Sequence, residues 1–174
     1  MMRTQMAIQS MQMGRLDQAR ALCRQAVAAD PADLPALRLL VKIYGRLGET
    51  AELVAMLAKL PSPVSDDADF LSLLGAELRD HGCFDEARDA FVRVLQLQPD
   101  RTDAYYNLAL MTRYTTVDGE IAAMEGLYAQ TPVDSKERRG LCFALGQCYV
   151  ALGALDRVFG YFREGTDSVS RQSG

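Results

Sequence analysis

Leu71-Ser-Leu-Leu74-Gly75-Ala-Glu-Leu78, followed by Gly82, by Ala87-Arg-Asp-Ala-Phe91 and by Pro99, is the stretch on which the fold turns. Its apolar residues recur at steps of three and four, the spacing of two amphipathic helices that bury one face each. Gly75 and Ala87 are small where the helices cross closely, and Leu71, Leu74, Leu78 and Phe91 fill the space between them. Gly82 turns the chain and Pro99 ends the second helix. Outward from this unit the same pattern returns, because Gly14, Gly48 and Gly82 stand 34 residues apart and Gly153 stands 34 after Gly119. A 34-residue period marks a helix-turn-helix unit that cannot bury its apolar face alone and stacks on its neighbours.

The other copies can be laid on that register. The first keeps Ala19, Cys23, Ala26 and Pro31 behind a Gln- and Met-rich first helix. The second keeps Leu37, Leu40 and Tyr44, then has Leu53 and Leu57 and stops at Pro61, which predicts a short second helix. The fourth has Tyr105, Leu108 and Ala109. Gly119 follows Gly82 by 37 residues rather than 34, which places about three extra residues between the helices of that copy. The fifth runs Cys142-x2-Leu145-Gly146-x2-Tyr149, with Val158 and Phe162 behind it. Asp17, Asp85 and Asp156 are expected to cap second helices. No stretch alternates in the manner of a strand.

In these residues the chain resembles the tetratricopeptide repeat family, most fully in the copy that opened this section, where only the pattern's tryptophan and tyrosine are replaced. The resemblance implies an all-α, right-handed superhelical solenoid of about five repeats in a single domain. The expected repeats cover residues 1–33, 34–67, 68–101, 102–135 and 136–166, with a short tail over 167–174.

Composition and motifs narrow the function. The formal charge of −4 at pH 7 argues against a nucleic-acid partner, which calls for a basic excess. No 18-residue apolar run predicts a membrane span, and Gln5, Gln9, Ser10 and Gln12 interrupt any signal-like N-terminus, so cytoplasmic residence is expected. Cys23, Cys83, Cys142 and Cys148 form no close metal-ligand pair and read as small core residues. His81 reads as a solvated turn residue rather than half of a His-Cys catalytic pair. Neither a phosphate-cradling glycine loop nor a hydrolase or zinc-protease motif is present. The expectation is a non-enzymatic protein without a cofactor.

First helices of such repeats line the concave face. The positions that the family directs into the groove fall at Arg38, Lys42, Arg79, Asp103, Tyr106, Leu110, Arg113 and Phe143, with Asn107 beside them. A basic stripe with aromatic and amide neighbours in an acidic chain fits an extended, acidic protein segment. The alternative is that Arg38, Lys42 and Arg79 are only the solvated sides of amphipathic helices.

A narrower resemblance covers the C-terminal half. Asp103-Ala-Tyr-Tyr-Asn-Leu-Ala-Leu-Met-Thr-Arg-Tyr-Thr115, Leu141-Cys-Phe-Ala-Leu-Gly-Gln-Cys-Tyr149 and Tyr161-Phe-Arg-Glu-Gly165 are similar to the last repeats of bacterial tetratricopeptide sulfotransferases, with the extra residues before Gly119 in the same place. That likeness implies an alternative role as the substrate-positioning arm of a larger sulfotransferase, whose catalytic residues have no counterpart here. A third reading is self-association into a homodimer through the last helix, where Phe159, Tyr161 and Phe162 have little chain left to cover them.

Overall fold

The structure, a computed structural model, describes residues 2–172, with side chains through residue 166. The described residues form ten α-helices, one 3-10 turn at Val64–Asp66 and no strand. The helices are α1 (Met2–Gln12), α2 (Leu16–Ala29), α3 (Leu34–Leu47), α4 (Thr50–Ala58), α5 (Ala68–Asp80), α6 (Phe84–Leu97), α7 (Thr102–Met111), α8 (Gly119–Gln130), α9 (Lys136–Ala151) and α10 (Leu155–Gln172). They fall as five consecutive pairs in the expected order. The last helix continues six residues past the expected repeat end at 166, into the segment read as a tail. No described helix is long and apolar enough to cross a membrane. The chain divides into two compact units, one ending at Leu97 and one beginning at Gln98.

In the first unit the turns are made by the backbone. Gly48 sits at φ 68°, where a side chain would strain against the following carbonyl, and the Glu49 N–H bonds back to the Tyr44 carbonyl at 2.9 Å. Gly14 and Gly82 repeat the geometry, with bonds of 2.9 Å from Arg15 to Ser10 and from Cys83 to Leu78. The starts of α3 and α5 are fixed by Asp33, which accepts from the Ala36 N–H at 3.0 Å, and by Asp67, which accepts from the Phe70 N–H at 2.6 Å. Each such cap stabilises by about 1 kcal/mol. Asp17, Asp85 and Asp156 do not cap. They lie in the first turns of α2, α6 and α10, where a carboxylate favours the positive helix end without bonding it.

The core of this unit is apolar and close-packed. Leu37, Leu40, Val41, Ile43 and Tyr44 of α3, Phe70, Leu71, Leu74 and Leu78 of α5, and Ala87, Ala90, Phe91 and Val94 of α6 are buried, at roughly 1.5–3 kcal/mol for each large side chain. A Cβ on Gly75 would stand 3.1 Å from the Phe91 ring, a tight contact at the crossing of α5 and α6. As expected, α4 is short, nine residues against fourteen in α2 and in α6. Pro61 follows it, and the connection to α5 holds the 3-10 turn and a cis Ser62–Pro63 bond.

The second unit keeps the period by other means. α7 ends at Thr112 in extended backbone, and residues 112–118 cross to α8 with no left-handed glycine. Gly119 is the first residue of α8, and Asp118 caps that helix by accepting from Glu120 and Ile121 at 3.0 and 3.1 Å. Tyr114 is buried under this crossing with its hydroxyl on Glu120 at 2.9 Å. First helices from α3 onward start at 34, 68, 102 and 136, so the fourth copy has no surplus length. The three extra residues lie in α9, whose apolar register begins at Leu141 and Cys142 after an additional turn that includes Lys136, Glu137 and Arg138. Gly153 then makes the last backbone turn at φ 70°.

α10 is held by its own unit more fully than its sequence suggests. Phe162 presses on Gly146, where a Cβ would come within 2.8 Å of the ring, and Tyr161 stacks on Tyr149 with centroids 5.8 Å apart. Of the three aromatic residues read as uncovered, only Phe159 is exposed, at 73%.

Candidate partner-binding site

The expected binding residues of the first unit lie on α3 and α5, away from the buried sides of those helices. Their charges are only partly available. Arg38 donates to Asp67 at 3.2 Å, the same carboxylate that caps α5, and so ties α3 to the following helix pair. Thr4 makes the equivalent link one period earlier, donating to the cap Asp33 at 3.1 Å. Arg79 bonds the neighbouring Asp80 at 2.6 Å. Lys42 is exposed and makes no ion pair among the described residues. The stripe read as three cations is therefore one open charge and two that already face carboxylates.

In the second unit the expected residues come together more closely. Asp103 and Tyr106 of α7 border a cleft of about 360 Å³ with Thr102 and with Lys136, Glu137 and Gly140 of α9. The Arg101 guanidinium holds the Asp103 carboxyl below the usual range, bonding both oxygens at 2.8 Å. Asn107 donates to the Asp103 carbonyl at 2.7 Å. Leu110 and Arg113 are exposed at the end of α7, and Arg113 makes no ion pair among the described residues. Phe143 turns instead to α10, its ring centroid 6.1 Å from that of Phe162.

Lys136 and Glu137 were not among the residues expected here. They belong to the extra turn of α9, and a register counted from glycines assigns that turn elsewhere. Three of the four cysteines are core residues, Cys83 being only half-buried at its turn: Cys23, Cys142 and Cys148 are buried, and burial pushes the first two thiols up to about 11 and the third to about 12, far from the thiolate form that reacts.

His81 differs from the reading given to it. It is half-buried at the end of α5, with Nδ1 2.8 Å from the Glu77 carbonyl and Nε2 2.8 Å from the Gly45 carbonyl of α3. Both ring nitrogens are occupied by main-chain oxygens, so the residue clamps two helices and neither nitrogen is left to activate Cys83. A spacing of 36 residues between His81 and Gly45 leaves no local sequence signal for that contact.

The repeats, their caps and their turns define a class, and the comparisons agree with it. The tetratricopeptide repeat family matches residues 10–76. Among solved structures the fold is similar to the crystal structure of MamA, with TM-score 0.70, 23% identity and 96% of each chain covered. It is also similar to the nearly identical TPR-like repeats of a kinesin light chain described as putative from Podosopora anserina, with TM-score 0.69, 17% identity, 98% of this chain and 94% of that one. A third similar structure is a tetratricopeptide repeat protein from Parabacteroides merdae, with TM-score 0.70, 16% identity, 97% of this chain and 66% of that one. No curated protein sequence matches. The fold is thus an all-α helical repeat similar to tetratricopeptide solenoids, and at these identities the likeness to solved structures speaks for fold alone.

Proposed function

We propose that the protein is a non-enzymatic interaction scaffold whose first helices hold segments of a partner protein, acidic side chains being directed at Lys42 in the first unit and, separately, at Arg113 in the second. The observation that carries this reading is the segregation of the first helices. α7 buries Tyr105, Leu108 and Ala109 while Tyr106 and Asn107 stay half-buried and Leu110 is exposed, with Arg113 exposed just past its end, and Asp103 and Tyr106 meet Lys136 and Glu137 across a cleft. An aromatic ring between groups of both signs suits an extended chain, whose amides bond the polar groups while a side chain lies on the ring.

The acidic preference rests on the two cations without a carboxylate beside them, not on Arg38 or Arg79. Titrating isotopically labelled protein with polyglutamate-containing peptides and with neutral peptides of equal length is expected to move amides at α3 and α7 with the acidic set alone. Lys42→Glu with Arg113→Glu should weaken that binding about tenfold, since each reversal turns an attraction into a repulsion at a solvated rim. Equal binding of both peptide sets, or no loss in the double variant, removes the assignment.

A further inference from the structure

The first unit carries a second cavity, on the side of α3 away from Arg38 and Lys42. It measures about 460 Å³ and lies between α2 and α4, floored by Leu37, Leu40 and Tyr44 of α3 and walled by Val27 of α2 and Met56 of α4. Its origin is in the sequence. α4 stops five residues sooner than α2 or α6, which is about 7 Å of helix, and the place where its last turn and a half would pack is left open.

Tyr44 gives this cavity a chemical requirement. The residue is 4% exposed and its hydroxyl makes no hydrogen bond among the described residues, while no fully buried polar side-chain atom there lacks a partner, so the hydroxyl reaches the water of the cavity. A segment that fills the cavity displaces that water and must offer the hydroxyl a partner, because an unpaired hydroxyl out of water costs about 1–3 kcal/mol. Tyr44 lines the cavity together with Arg24 and Glu52, and burial raises its pKa, which Arg24 opposes and Glu52 reinforces. Arg24 and Lys59 stand exposed at the rim and neither forms an ion pair among the described residues, against one carboxylate, Glu52.

We propose that the α2–α4 groove is a docking site for a short amphipathic segment of a partner protein. The segment's apolar side chains take the place of the missing end of α4 over Leu37, Leu40 and Met56, a polar group of the segment meets the Tyr44 hydroxyl, and a carboxylate lies between Arg24 and Lys59. Charge complementarity and the unpartnered hydroxyl select this occupant over a purely apolar one, which would leave three polar groups desolvated without partners. The site shares no residue with the faces of Lys42 and Arg113, so a partner engaged there leaves this groove free and two ligands can be held at once.

The test uses the full chain and a labelled model helix with leucines at i, i+3 and i+4 and glutamates flanking them. Binding is read by fluorescence anisotropy and mapped by amide shifts. The expected result is saturable binding with shifts at Ala28, Tyr44 and Met56. Arg24→Glu with Lys59→Glu is expected to weaken it about tenfold. Ala28→Trp, an exposed position that fills the groove, should abolish it, and Tyr44→Phe should weaken it severalfold with the thermal midpoint unchanged or raised. Lys42→Glu with Arg113→Glu, which tests the first-helix faces, should leave it untouched. A peptide that binds the Arg24→Glu, Lys59→Glu protein equally, that maps to α7, or that fails to bind while Tyr44 is satisfied by water overturns the proposal.

Discussion

The two units solve the same packing problem with different physics. The first joins each helix pair through a left-handed glycine and a bond back into the preceding helix, fills its interior with Leu, Ile and Phe, and confines its polar links to the caps and rims. The second has one such glycine turn, at Gly153, and fastens α8, α9 and α10 with a half-buried set of charged and aromatic groups. Arg138 donates to Glu164 at 2.8 Å and to the carbonyls of Tyr128 and Thr131, and its guanidinium lies 3.6 Å from the centroid of the Tyr128 ring. Tyr128 donates to Glu164 at 2.5 Å, while Tyr149 meets Glu125 at 2.6 Å with Arg157 beside both. Apolar interdigitation carries both units, and the second adds this polar network to a core of Leu108, Ile121, Met124, Leu141 and Leu145, so the two should fail differently.

The sharpest way to break this contrast is Arg138→Met. The side chain is 13% exposed and serves a carboxylate, two carbonyls and a ring, so its loss leaves Glu164 and two main-chain oxygens short of partners. A loss of about 2–3 kcal/mol is expected, below the figure for a fully buried pair because Glu164 retains solvent. Native-state hydrogen exchange should place the change in α8, α9 and α10, with amides of α3 and α5 unaltered. A loss under about 0.5 kcal/mol, the range of an ordinary surface substitution, would mean that the network is decoration and the units are alike.

A paired substitution sharpens the comparison at equivalent crossings. Gly146→Ala forces a methyl into the Phe162 ring and is expected to cost about 1–3 kcal/mol. Gly75→Ala meets Phe91 at 3.1 Å and Ala90 at 3.2 Å, a milder crowding set against the gain in helix propensity of nearly 1 kcal/mol. Urea unfolding should show this variant within about 0.5 kcal/mol of wild type. Equal losses at both glycines would show one packing tolerance throughout.

The legible part of this molecule is the part governed by local chemistry. Helix periods, Pro61 and the turn glycines announce the helix pairs, the short α4 and the four left-handed backbone turns at Gly14, Gly48, Gly82 and Gly153. What a glycine count cannot distinguish is a glycine needed for positive φ from one that merely begins a helix. Gly119 satisfies the spacing but sits at the first position of α8, and so the three surplus residues were assigned between α7 and α8 when they extend α9. The caps escape the sequence for a related reason: Asp33 and Asp67 precede first helices, and only the fold shows which carboxylate reaches a free N–H. Among the candidate residues, helical phase leaves Lys42 and Leu110 exposed, while the engagement of Arg38 by Asp67 depends on a residue 29 positions away.

The smallest expected effect is a pH dependence confined to the first unit. His81 is the chain's only histidine, and both of its ring nitrogens face carbonyl oxygens, which accept and never donate. Only the imidazolium can make both bonds, and the hydrogen bond to the Glu77 carbonyl, with smaller help from the Gly45 carbonyl, Glu77 and Asp80, raises its pKa above the ordinary 6.5 against the opposing effect of burial. A raised folded-state pKa means that the stabilisation is complete below about pH 6.5 and is lost as pH climbs through the folded value. Amides at the C-terminal ends of α3 and α5 should therefore lose protection on going from slightly acid to slightly alkaline solution, after correction for intrinsic exchange, while those of α9 and α10 should not. His81→Gln, which can donate to one carbonyl at any pH, should flatten the profile at a level between the two limits. A profile that survives the substitution would assign the titration to a carboxylate and leave the clamp with no role in setting how firmly α3 and α5 are joined.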